Sequence, residues 1–250
     1  MERLESDTSI VVCTQSNYAA DQVLNQVLEV IPQSEDQFCL RTAQRGRDFI
    51  GRAYHVTLWK RLRHKLGHYI RHTLPVELNQ TFSEFEEQRE ALKQILIRFK
   101  RESLIYEIIK QSKVIICTIA YYNTYLYNKV KCEVLVMDEA SQVAESDLVL
   151  AYLKAKPRRL ILTGDENQLK AHQYSRHDVE PVFKLIAHNS PSAVINLSYC
   201  FRMAYRLFAL THRVFYSNRT ILPRTQSTGW LQFVDCGGRA AREGTSLYNA

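Results

Sequence analysis

Two adjacent carboxylates, Asp138 and Glu139, follow directly on four apolar residues, Val134 to Met137. An apolar strand that ends in Asp-Glu is the Walker B pattern. The Asp suits a Mg²⁺ ion, held directly or through water, and the Glu suits polarising a water for attack on a terminal phosphate. An acidic pair that merely opens a helix has the same lettering, because carboxylates favour the N-terminal dipole. A second polar cluster, LTGDENQL (162–169), adds Gly164, Asp165 and Gln168. A Gln there can hydrogen-bond a phosphate oxygen or the attacking water while Asp165 orients its neighbours; an ordinary Gly-Asp turn is the plainer alternative. In LSYCFRM (197–203) the residue of interest is Arg202. Its guanidinium would neutralise charge on a transferring phosphate, or make a surface ion pair at a helix start.

These residues need a frame. Five short runs, SIVVCTQSN (9–17), KVIICT (113–118), EVLVMDEA (133–140), RLILTGDENQ (159–168) and AVINLS (193–198), are continuously apolar before turning polar. Continuous rather than alternating runs fit strands covered on both faces, as in a parallel sheet. Between them, YAADQVLNQVLEVI (18–31) places Val23, Leu24, Val27, Leu28 and Ile31 on one helical stripe, and SDLVLAYLKA (146–155) behaves likewise until Pro157. Strand, helix and strand in succession predict right-handed crossovers and parallel neighbours. The strand ends then share one edge, where ligands bind in open parallel sheets. Ser16, Asn17 and Thr118 would lie along it beside the acidic pair. Ser16 and Asn17 also open a helix, a suitable place to grip a nucleic-acid phosphate, or simply the helix cap.

The interval 32–112 has no comparable strand run. FEEQREALKQILIRFKRESLIYEIIK (85–110) sets Leu92, Ile95, Leu96, Phe99, Leu104 and Ile108 at three- and four-residue steps, which predicts an inserted helical subdomain. Nine Arg and Lys fall in residues 41–75 against the single acid Asp48, with Tyr54, Trp59 and Tyr69 among them. Such a window can track a nucleic-acid backbone with stacking aromatics, or be a solvated face. The expected organisation is 1–31 as the start of the α/β domain, 32–112 as the insertion, 113–222 as the remainder and 223–250 as a connection. LQFVD (231–235) is a candidate strand within the last.

A formal charge of +7 points to a polyanionic partner. The six scattered cysteines show no metal-ligand spacing, so they are expected to be reduced and mostly packed, in a cytoplasmic or nuclear protein. No apolar run approaches a membrane span.

Taken in order, the segments resemble a superfamily 1 helicase of the 1B branch that includes the nonsense-mediated-decay and Sen1-like RNA and DNA helicases. VVCTQSNYAADQVL looks like that family's motif Ia, VLVMDEASQ like motif II and LTGDENQL like motif III. LSYCFRM, with FY at 215–216, looks like motif IV, and GTSLYN (244–249) like the segment entering a second motor domain. The resemblance implies a RecA-like, P-loop NTPase-type α/β fold: a mostly parallel sheet with helices on both faces and an inserted helical subdomain. It implies ATP and Mg²⁺ as cofactors and RNA or single-stranded nucleic acid as partner. Asp138 and Glu139 would handle magnesium and water, and Gln168 and Arg202 would meet the terminal phosphate. Gly164 and Asp165 would border the nucleotide, and Ser16, Asn17 and Thr118 would line the nucleic-acid path.

The chain departs from that pattern at several points. Cys200 and Phe201 replace the family's Gln and Tyr before the Arg-Met pair. Ala204-Tyr205 stands where His-Pro is usual, and Lys170-Ala171 follows Leu169 where a Pro is usual. No G-x-x-x-x-G-K-[ST] phosphate loop occurs in the sequence. The expectation is therefore most of a first motor domain, inactive on ATP by itself, as a fragment or one subunit of a split helicase. A non-catalytic nucleic-acid-binding module, or an interaction subunit docking a second chain that brings the loop, remains open.

Overall fold

The computed structural model describes residues 10–30, 38–43, 57–81, 89–126, 130–168, 182–217, 220–224, 240–243 and 246–249. Within residues 1–190, one of two compact units, five strands form a single sheet: β1 (Ile10–Thr14), β2 (Cys39–Arg41), β3 (Val114–Thr118), β4 (Val134–Met137) and β5 (Arg159–Leu162). Their order is β2-β3-β1-β4-β5 and every pairing is parallel. The expected α/β architecture, a mostly parallel sheet with helices, is what the chain adopts.

Successive residues of a strand point to opposite faces, and the core divides accordingly. On one face Val12, Val114 and Ile116 pack against α1 (Asn17–Val30) through Ala20, Leu24 and Leu28. On the other, Val11, Cys13, Ile115, Cys117, Leu135 and Met137 meet the helical layer. That layer includes α2 (Leu58–His68), α4 (Arg89–Lys110) and α5 (Glu145–Ala155); α3 (Leu74–Thr81) follows α2 through a π-helical turn, Tyr69–Thr73. The last helix of this unit is α6 (Val182–Asn189).

Several expectations need correction. The interval read as helical contributes β2, whose three residues pair with β3 on the sheet's outer side. Three residues containing an arginine give no apolar run, so the strand is invisible to hydrophobic patterning. In α4 the buried positions are Leu104, Ile105, Ile108 and Ile109, whereas Ile95 and Phe99 are exposed. The C-terminal half of that stripe faces the main core, while Leu96 packs against a smaller cluster around Tyr69 and Leu74. β5 is not covered on both faces either, since Arg159 and Ile161 are exposed.

Tyr69 and Trp59 are not free stacking platforms. Tyr69 is buried and its hydroxyl donates to Glu77 Oε2 at 2.6 Å. Burial pushes its phenol up to about 12, helped by the Glu77 carboxylate. Trp59 donates its indole N–H to the Ala43 carbonyl at 2.8 Å and lies under the Arg101 guanidinium. Both rings serve the packing of α2 against α4. Tyr54 lies outside the described residues.

Cys13, Cys39, Cys117 and Cys132 are free and buried, as expected of packed thiols. Burial pushes Cys39 and Cys132 up to about 12. Cys13 is raised by its contact with Cys117 and by burial. No helix among the described residues is long and apolar enough to cross a membrane.

The second unit spans residues 191–250. The segment 194–198, expected as a fifth strand, forms none and exposes Ile195 and Leu197. The strands here are β6 (Tyr199–Cys200), parallel to β7 (Leu222–Pro223), and an antiparallel hairpin of β8 (Ala240–Glu243) and β9 (Ser246–Asn249). An amphipathic helix, α7 (Tyr205–Phe215), buries Phe208. The candidate strand 231–235 lies outside the described residues.

Candidate functional site

The register of β4 and β5 sets Met137 opposite Leu162, so Asp138 and Thr163 leave the sheet side by side. Thr163 donates its hydroxyl to Asp138 Oδ1 at 2.6 Å, and its backbone N–H donates to the Met137 carbonyl at 2.9 Å. Asp138 N–H donates to the Cys13 carbonyl at 2.9 Å, tying the acidic pair to the end of β1 as well. Thr163 is a site residue that sequence reasoning passed over. Its only signal was its place directly after an apolar run.

Glu139 adopts φ 55°, ψ 41°, the left-handed region. For a non-glycine residue this costs of order 1 kcal/mol or more, and such strain clusters at functional sites. The turn is held by Ala140 N–H donating to the Thr163 carbonyl at 2.7 Å. It re-aims the Glu139 side chain away from the strand direction, and Gln142 Nε2 reaches Glu139 Oε2 at 3.5 Å. So the pair does not begin a regular α-helix; a short 3₁₀ turn, Ala140–Gln142, follows instead.

The motif after β5 locks onto that turn. A Cβ on Gly164 would sit 2.9 Å from Ser141 N and 3.3 Å from Ala140 N, so only glycine lets the two backbones approach. Asp165 N–H donates to Ser141 Oγ at 3.4 Å. The Asp165 carboxylate accepts from Asn167 N–H and from Gln168 Nε2, both at 3.0 Å. Gln168 is exposed, and with one amide N–H committed to Asp165 its carbonyl oxygen is the acceptor it can offer a water. The structure thus brings Asp138, Glu139, Gly164, Asp165 and Gln168 into one bonded assembly. Arg202 is exposed in the second unit, in a bend between β6 and α7.

Ser16, Asn17 and Thr118 occupy the same end of the sheet, just past β1 and at the end of β3, where Thr14 and Thr118 are register partners. Ser16 accepts Ala19 N–H at 3.1 Å and Thr118 accepts Tyr121 N–H at 3.3 Å, so both act as helix caps here. Asn17 is engaged differently: its Oδ1 accepts from Arg41 Nη2 at 3.0 Å.

With Oδ1 taken by Thr163, Asp138 keeps Oδ2 for a cation. Mg²⁺ is commonly held by one or two carboxylates with water and phosphate oxygens, which this donor set fits. Among the described residues no cluster of three or more His, Cys, Asp or Glu could hold a metal. The β- and γ-phosphates of ATP find no loop of the required pattern in this sequence.

Ser16, Asn17 and Arg202 lie outside the residues that a family model matches, and no curated protein matches the chain. Residues 63–176, which carry the acidic pair and Gln168, match a family model described as an AAA domain, and over that stretch the chain is similar to a helicase-like motor domain.

Proposed function

We propose that the chain supplies the metal and water half of a superfamily 1B helicase nucleotide site and a nucleic-acid-binding edge beside it. Bound Mg²⁺ would draw charge from the transferring phosphate. Asp138 would hold the ion, Thr163 fixes the rotamer of Asp138, and Glu139 would take a proton from the attacking water. Gln168 orients that water. The observation that carries the reading is the 2.6 Å bond between Thr163 and Asp138 across the ends of two parallel strands, beside a left-handed Glu139. Without backbone amides and a lysine for the phosphates, whose electrostatic contribution is large, the chain alone does not turn over ATP appreciably.

Nucleic-acid affinity is the part the chain exerts by itself. Lys60 is half-exposed, and Arg63, His64, Arg71 and His72 are exposed along α2 and the π-helical turn. Single-stranded RNA should bind with an affinity that falls by about tenfold or more between 50 and 200 mM salt, as phosphate contacts release counterions. Fluorescence anisotropy with a labelled oligouridylate reads this directly. Absent binding, or binding indifferent to salt, would remove the nucleic-acid half of the reading.

A second reading, an interaction subunit that docks a chain bearing the phosphate loop, is favoured by one observation. β5 is an edge strand with Ile161 47 % exposed, and α5 exposes Val149, Tyr152 and Leu153. An apolar edge of this kind is a template for another strand. Ile161→Lys should abolish stimulation by a loop-bearing chain while leaving the melting temperature within a few degrees; unchanged stimulation argues against docking there.

A further inference from the structure

Arg41 is a fully buried charge at the end of β2. Its guanidinium is spread over several acceptors: Nε donates to Asp21 Oδ1 at 3.0 Å, Nη1 to the Thr42 carbonyl, and Nη2 to Asn17 Oδ1 at 3.0 Å and more distantly to the Asn17 carbonyl. Burying an arginine is costly unless its fork is matched in this way, so for packing alone an apolar residue would serve. What the fork achieves is directional. Asp21 and Asn17 both lie on the first turns of α1, and the guanidinium plane bridges them as a point-like ammonium could not.

An asparagine amide can be turned either way, and the two orientations offer opposite chemistry. Because a guanidinium only donates, the Arg41 contact fixes Oδ1 towards Arg41 and leaves the two Nδ2 hydrogens of this half-buried residue as the donors it can offer. Those are the atoms a phosphate oxygen requires. A second observation lies at the same strand end: Thr42 Oγ1 is buried with no hydrogen-bond partner among the described residues. A buried polar atom of that kind is commonly satisfied by a bound molecule or ordered water.

We propose that Arg41 is a positioning residue, clamping the Asn17 side-chain amide so that its N–H groups face a nucleic-acid phosphate. The inference rests on the nucleic-acid reading above and adds the residue that sets the polarity of the contact. Asn17→Asp separates orientation from packing, since the carboxylate keeps a partner for Arg41 but offers a phosphate negative charge instead of donors. Arg41→Lys keeps the charge and removes the fork.

The test is anisotropy of a labelled oligouridylate at one salt concentration with wild type, Asn17→Ala, Asn17→Asp, Arg41→Lys and the double variant Arg41→Lys/Asn17→Ala, alongside thermal melts. Asn17→Ala should weaken binding by about tenfold. Arg41→Lys should weaken it similarly, and the double variant should bind no more weakly than Asn17→Ala alone. Asn17→Asp should bind more weakly than Asn17→Ala yet melt no lower than wild type. Losses that multiply in the double variant, or Asn17→Asp binding as tightly as wild type, would overturn the proposal. Should Arg41→Lys not fold, the two Asn17 variants decide it. Wild type failing to bind sinks the nucleic-acid reading and this proposal together, whereas wild-type binding unchanged in Asn17→Ala sinks this proposal alone.

Discussion

Replacing Asp21 by alanine is expected to destabilise the protein by about 3 kcal/mol, the scale for removing one partner of a buried ion pair. Arg41 has no exposed surface, while Asp21 is 26 % exposed, so the charge that loses an ion-pair partner is the buried one. The hydrogen bonds to Asn17 and Thr42 accept from the guanidinium but bring no carboxylate to it. Urea denaturation would show the midpoint falling with little change in slope. Adding Arg41→Met to Asp21→Ala should recover part of the loss, because the buried charge that has lost its Asp21 partner is then gone. A single variant within about 0.5 kcal/mol of wild type would show the pair to be dispensable, as exposed pairs often are.

The two internal glycines with described surroundings should respond to alanine in opposite directions. At Gly164 the new Cβ meets the backbone nitrogens of Ser141 and Ala140, neither of which can yield without moving the turn that carries Glu139. A loss of about 2 kcal/mol follows from such overpacking. At Gly67, within α2, the nearest atoms are the tips of the Arg71 side chain at 3.8 and 4.0 Å, which is ordinary contact. There the substitution should stabilise by about 0.5–1 kcal/mol, because glycine in a helix loses more backbone entropy on folding than alanine does. Equal melting temperatures for the two variants would contradict the close approach at Gly164.

Four of the five sheet strands were legible because each is a continuous apolar run, and the parallel pairing followed from the helices between some of them. β2 was not, since Cys39, Leu40 and Arg41 are too few to make a run and Arg41 is of a type that hydrophobic patterning places outside. AVINLS (193–198) misled for the converse reason: its apolar lettering accompanies no strand, and Ile195 and Leu197 are exposed. In the site, carboxylates and Gln168 stand out by type and position, whereas Thr163 matters only through the β4–β5 register, which brings residues 25 apart in sequence into contact. Arg41 is hidden similarly. Its role depends on a partner 24 residues earlier, and its neighbourhood in sequence is simply basic. Long-range register and backbone handedness, as at Glu139, are not written in local composition.

The acidic pair as metal holder and water activator is tested most directly by giving the chain what its sequence lacks. A strand–loop–helix segment carrying G-x-x-x-x-G-K-T, fused ahead of Ile10 or added as a separate chain, should raise Mg²⁺-dependent ATP hydrolysis well above that of the unsupplemented chain. Glu139→Gln should reduce that turnover by at least about a hundredfold while Mg-ATP still binds. Hydrolysis that persists undiminished in Glu139→Gln, or a supplemented protein that binds Mg-ATP and never hydrolyses it, would contradict the account.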